Sequence, residues 1–191
     1  MKVHKHSRFL AQLLARELHQ QSRLVGVEVG VHRGFTSHHL LQSLPGLFLY
    51  LVDRWDPAPF KAPENQFSMM AKQQDRPAVF EGWYREAVRN TSAFVNSRRI
   101  LRMDFRRAVG EIDQPLDFCF LDAAHSYVDT RDQIACYEPL VRPGGIVAGH
   151  DYGFPRAGYE VVKQAVDEAA DQLGVQLHVD KPSYVWWWTK K

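Results

Sequence analysis

Five short apolar runs in this 191-residue chain each carry or end on a carboxylate or an imidazole, and that pattern restricts the fold more than any other feature. Leu24 to Val29 holds Glu28, Leu47 to Val52 stops at Asp53, Arg99 to Met103 at Asp104, Leu116 to Leu121 at Asp122, and Ile146 to Gly149 at His150 and Asp151. Continuous apolar strands of this kind are buried on both faces, as in a parallel sheet covered by helices. Helical patterns lie between and after them, at Thr36 to Leu44, Val79 to Phe94, Val128 to Leu140 and Tyr159 to Leu173. Strands alternating with helices predict an α/β sheet with right-handed crossovers, whose ligands sit beyond the carboxyl ends of the strands. So many polar groups in line would be costly to bury without a ligand to meet them.

The remaining segments fit one domain over residues 1–191. Phe9, Leu10, Leu13, Leu14 and Leu18 recur at three- and four-residue steps and predict an amphipathic N-terminal helix within residues 1–22. Residues 54–77 interrupt the rhythm with four prolines, and are expected to form an irregular insertion, either a lid over the substrate or a dimer contact. Pro143-Gly144-Gly145 is expected to turn the chain into the fifth strand, and Val175 to Val179 and Tyr184 to Thr189 to close the sheet.

Composition removes several function classes. With 45% apolar and 24% charged residues the chain is neither disordered nor a rod, and a formal charge of +2 is too small to make an electrostatic grip on nucleic acid the leading reading. The arginines at 98, 99, 102, 106 and 107 are expected to be a solvated rim. Cys119 and Cys136 lie in apolar stretches and are expected as reduced core thiols in a cytoplasmic protein. No apolar run approaches the roughly 18 residues of a membrane span.

Glu28-Val-Gly30-Val-His32-Arg-Gly34 places glycines between a strand and a helix, where backbone amides can approach a ligand. The dinucleotide fingerprint fails here, because His32 and Phe35 stand where it needs glycine. A turn required only for strand-to-helix geometry remains the alternative. With Asp53 after the next strand, the pattern resembles the class I methyltransferases that use S-adenosylmethionine (SAM). That resemblance implies cofactor contacts from Glu28, Gly30, Gly34 and the neighbouring His32, ribose binding by Asp53, and an adenine-side acid at Asp104. A cap on the helical turn that follows explains Asp104 equally well.

The second half is more specific. Asp122-Ala-Ala-His125-Ser-Tyr127 and Gly144-Gly145-Ile-Val-Ala-Gly149-His150-Asp151-Tyr152 resemble the two signatures of the family-24 branch of that class. The resemblance implies a Rossmann-like sandwich, a seven-stranded sheet in the order 3-2-1-4-5-7-6, and O-methylation of a hydroxyl on a small molecule. A metal-dependent hydroxylase similar to the cephalosporin hydroxylases, and a non-catalytic or nucleic-acid-binding module on the same fold, are the rival readings.

Asp122, His150 and Asp151 would meet at the mouths of two adjacent strands as ligands for Mg²⁺, Mn²⁺, Fe²⁺ or Zn²⁺, with a plain hydrogen-bonded network as the alternative. Asp122 also falls within the expected cofactor contacts. His125, three residues after Asp122, is expected to be the general base, against a helix-end histidine paired with a carboxylate. His4, His6, His19 and His178 carry no functional expectation, and Trp186 to Trp188 are expected to pack in the core.

Overall fold

The computed structural model describes residues 3–57, 76–155 and 158–191. Seven strands form one sheet in the order β3-β2-β1-β4-β5-β7-β6, as the resemblance implies. β1 (Leu24–Val29), β2 (Leu47–Asp53), β3 (Arg98–Arg102), β4 (Leu116–Leu121) and β5 (Val141–Gly149) run parallel. β7 (Val185–Thr189) runs antiparallel to both β5 and β6 (His178–Asp180). The helices are α1 (Lys5–Glu17), α2 (Phe35–Ser43), α3 (Pro77–Asn90), the single-turn α4 (Phe105–Ala108), α5 (Tyr127–Tyr137) and α6 (Glu160–Leu173).

The period-two alternation of strand side chains divides the core into two layers. Leu49, Leu51, Phe118 and Phe120 face α1, α2 and α3, while Val27, Tyr50, Cys119 and Val147 face α4, α5 and α6. Trp186 and Trp188 are stacked at 5.1 Å in the second layer. Trp187 turns to the other face and meets Phe9 of α1 at 5.3 Å. The expected core role of the tryptophan run is therefore what the fold displays.

Several boundaries differ from expectation, two of them for a local reason. The Pro143-Gly144-Gly145 stretch does not precede β5 but lies inside it, taken up where the β4 register jumps from Leu116↔Val141 to Phe118↔Ile146. A bulge is where a strand tolerates proline. Val175 stays out of β6 because it closes α6: Gly174 adopts φ 59°, and the Val175 amide donates back to the Ala170 carbonyl at 3.1 Å. α3 stops at Asn90, with a 3-10 segment over Ser92–Ser97. Of the 54–77 insertion, residues 58–75 fall outside the described residues.

α1 belongs to the main body. Leu10, Leu13 and Leu14 are at most 1% exposed in the first core layer. Leu13→Ala should therefore lower the unfolding free energy by about 2–5 kcal/mol in urea denaturation. A loss within about 0.5 kcal/mol, the size of an ordinary surface change, would show that α1 is peripheral.

Candidate active-site cavity

Strand order reverses between β1 and β4, and a cavity of about 410 Å³ opens there at the carboxyl ends of the strands. One wall is the turn after β1. Gly30 takes φ +97°, and a Cβ there would lie 2.0 Å from the Asp122 carbonyl oxygen, so only glycine lets the turn approach β4 this closely. His32 also has positive φ, at 52°. Its amide donates to Asp53 Oδ2 at 2.8 Å and its carbonyl accepts from the Trp55 indole at 2.7 Å. These bonds tie the turn to the end of β2.

Of the expected cofactor residues, Gly34 does not line the cavity: a Cβ there would lie 3.1 Å from the Ala87 α-carbon, so this glycine serves the packing of α2 on α3. Glu28, His32, Asp53 and Asp104 all line the cavity. Burial pushes the Glu28 carboxyl up to about 8, although the Ser37 hydroxyl donates to it. Burial likewise holds the His32 ring neutral, down to about 4, and leaves its Nε2 enclosed without a partner. Asp53 accepts a second backbone bond from Trp55 at 2.9 Å, and burial raises its carboxyl against the pull of backbone donors at Trp55, His32, Val31 and Arg54. Asp104 caps α4 by accepting from the Arg106 amide at 2.9 Å, and it also lines the cavity.

The opposite wall is an imidazole-carboxylate cluster at the ends of β4 and β5. His125 Nε2 lies 2.9 Å from Asp151 Oδ2 and 3.4 Å from Asp122 Oδ1. His150 Nδ1 lies 3.4 Å from Asp122 and 3.2 Å from Asp151. Asp151 itself is held at φ 62°, a left-handed conformation that costs a non-glycine residue of order 1–3 kcal/mol. Asp122, His125 and Asp151 bring one ligand atom each within 4.8 Å of one another. This donor group contains His125, whereas the sequence pointed to His150 as the third donor.

The charge state of His125 also differs from a free neutral base. Burial pulls its pKa down, but the hydrogen bonds and charges of Asp122 and Asp151 outweigh that and push it up to about 10. Asp122 responds in the opposite sense: burial would raise its pKa, and the imidazoles of His150 and His125 hold it well below the usual carboxylate range. The ring of His125 stacks on Tyr159 at 4.9 Å, and its Nδ1 is buried without a partner.

The cavity residues that sequence reasoning missed include His4, His6, Phe154 and Tyr159. His6 packs 4.3 Å from His150 and lies 3.1 Å from the Thr36 hydroxyl. Nothing in the spacing of His4 and His6 marks them, because their place depends on where the leucine stripe of α1 docks. The tyrosines of the two signatures lie elsewhere: Tyr127 donates to Glu168 and Tyr152 to Asp167, pinning both loops onto α6. The arginine rim is largely internally paired, with Arg99 on Glu111 at 2.6 Å, Arg102 on Glu81 at 2.8 Å and Arg106 on Asp132 at 2.7 Å. Trp55 and Trp83 join both the core and the cavity wall. No helix among the described residues is long and apolar enough to cross a membrane.

A family model described as a methyltransferase domain, family 24, matches residues 27–152. The chain belongs to the family-24 methyltransferases. A curated relative, the uncharacterized protein y4gI of Sinorhizobium fredii, is 26% identical over 151 residues, covering 75% of this chain. The match spans only 15% of that longer protein. Among solved structures, the O-methyltransferase NovP superposes with a TM-score of 0.71 at 19% identity, covering 97% of this chain and 79% of NovP. The O-methyltransferase TomG from Streptomyces achromogenes, in complex with SAM, gives 0.65 at 15%, with 97% and 79% covered. An O-methyltransferase from Bacillus cereus in complex with SAH gives 0.62 at 16%, with 96% and 80% covered. At these identities the likeness is one of fold.

The buried Glu28 makes stability depend on pH. Its folded pKa is raised from 4.5 to about 8, so the folded state binds the proton more tightly than the unfolded state. That stabilisation is complete below pH 4.5 and is lost as pH rises through 8. Paired thermal melts should show the Glu28→Gln variant gaining on the wild type across this range. A gap that does not change with pH would contradict the buried, proton-bearing carboxyl.

Proposed function

We propose that this family-24 methyltransferase uses SAM to methylate a hydroxyl oxygen on a small molecule. The observation that carries the reading is one continuous cavity with the glycine turn and Asp53 on one side and the Asp122-His125-Asp151 cluster on the other. SAM supplies a methyl group on a sulfonium: the acceptor oxygen forms the new C–O bond, the C–S bond breaks, and the hydroxyl proton passes to the protein. Glu28, Gly30 and His32 would lie along the cofactor, Asp53 would accept from both ribose hydroxyls, and Asp104 would stand on the adenine side, with Asp122 between cofactor and acceptor. Holding the two reactants in line can itself supply roughly 7–11 kcal/mol.

Two carboxylates and an imidazole suit a divalent cation, which would orient the acceptor hydroxyl and acidify it. Asp122 and Asp151 would hold it, with His150 as the third donor in this reading. Once those carboxylates spend their charge on a cation, His125 no longer grips its own proton so tightly and can act as the general base. A metal-dependent hydroxylase is the second reading, favoured by the presence of two imidazoles, His125 and His150, each within 3.4 Å of Asp122, although Asp151 lies nearer to both.

Two variants test these roles. Asp53→Ala should weaken SAM binding at least tenfold in isothermal titration, the scale of a charge-assisted hydrogen bond lost; unchanged affinity would reject the cofactor assignment. His125→Ala should keep SAM binding and metal content yet lose on the order of 10² to 10⁴ in rate. Loss of the metal with that substitution would make His125 a ligand in place of His150, and normal turnover would make the cluster structural.

A further inference from the structure

The part of the cavity beside the imidazole-carboxylate cluster is lined by flat rings. One group is His4 and His6, stacked at 5.3 Å, with Phe35 5.8 Å from His4. The other is Tyr159, which lies against His125 at 4.9 Å and against Phe154 at 5.4 Å. All of these rings line the same cavity. Its lining arginines among the described residues sit elsewhere: Arg54 and Arg106 pair with Asp104, and Arg33 lies over Trp83 at 5.9 Å and 3.7 Å from Glu86. The charges that do stand in this part are the carboxylates Asp122 and Asp151 and the imidazoles that bridge them.

His6 is fixed rather than free to swing. Its Nε2 lies 3.1 Å from Thr36 Oγ1, which is itself 2.8 Å from the buried Ser7 hydroxyl. The residues behind it on α1, Leu10, Leu13 and Leu14, are core residues, so the wall cannot retreat without opening the fold. With Nε2 engaged, Nδ1 is the ring's remaining hydrogen-bonding atom.

We propose that this part of the cavity takes an uncharged planar hydroxyl-bearing ring, packed against these rings, and that His6 hydrogen-bonds it and sets the preference for it. The proposal rests on the methyl-transfer reading for the identity of the rest of the cavity, and it adds the acceptor class and a specificity residue delivered by the N-terminal helix. Flat faces match a flat ligand through stacking. A saturated ring of the same size presents axial hydrogens that keep the lining rings at a distance. An anionic ligand would meet two carboxylates, and among the described residues no lining arginine stands unpaired to offset them.

The test uses the wild-type protein loaded with SAH and three probes in isothermal titration: 4-methylphenol, 4-methylcyclohexanol and 4-hydroxybenzoate. None of them chelates a metal through adjacent hydroxyls, so metal content does not decide the result. Binding of 4-methylphenol about tenfold or more tighter than the other two is expected, a difference of roughly 1.4 kcal/mol. His6→Phe keeps a flat ring but removes the hydrogen bond, and should weaken 4-methylphenol about three- to tenfold while leaving SAH affinity unchanged. His6→Gln should recover part of that loss. Equal binding of the saturated or anionic probe, no binding of 4-methylphenol to the SAH-loaded protein, or indifference to His6→Phe would overturn the proposal. Should the variants fail to fold, the wild-type His6 imidazole resonances must still shift when 4-methylphenol is added, and no shift overturns it too. Failure to bind SAH at all would instead count against the methyl-transfer reading.

Discussion

The close backbone approach between the turn after β1 and the end of β4 is the constraint on which the site depends. Gly30 lies so near the Asp122 carbonyl that a methyl group in its place would sit 2.0 Å away. The Gly30 amide donates to Val52 at 2.9 Å and the Asp122 amide to Val29 at 2.8 Å, so β1, β2 and β4 are bonded together up to the lip of the cavity. Because the sheet reverses its winding at this point, the helices after β1 and β4 leave to opposite faces and the crevice between them stays open. Every group placed on the lip inherits its position from these backbone bonds.

What the lip carries is expensive to fold. Glu28 and Asp151 are 2% and 5% exposed, and the cluster at β4 and β5 concentrates two carboxylates and two imidazoles in one enclosure. Ion pairs of this kind return little net stability once desolvation is counted, while removing one partner leaves its mate uncompensated. The strained φ of Asp151 adds to the cost. A fold that only needed a core would fill these positions with apolar side chains, so the arrangement is better explained by a ligand than by stability.

Much of this was legible in the chain itself. Strands apolar on both faces announced a covered parallel sheet, and the acids at their ends announced where the cavity opens. The alternation of Trp186, Trp187 and Trp188 between faces follows from strand geometry alone. Other features depend on long-range docking that no local pattern encodes. His4 and His6 reach the cavity only because Leu10, Leu13 and Leu14 seat α1 in the core. The raised pKa of His125 needs two carboxylates from different strands, one of them turned toward it by a left-handed residue. Tyr127 and Tyr152 sat inside the signature motifs yet serve as pins on α6, a distinction visible only once Glu168 and Asp167 are seen beneath them.

Co-crystallisation with SAH would place the cofactor against these residues or away from them. The account predicts SAH in the cavity at the β1–β4 reversal, its ribose hydroxyls on the Asp53 carboxylate, its amino-acid end along Glu28 to His32, and its sulfur facing His125. SAH bound outside that cavity, or a cavity still empty at saturating SAH in solution and in the crystal, would contradict it.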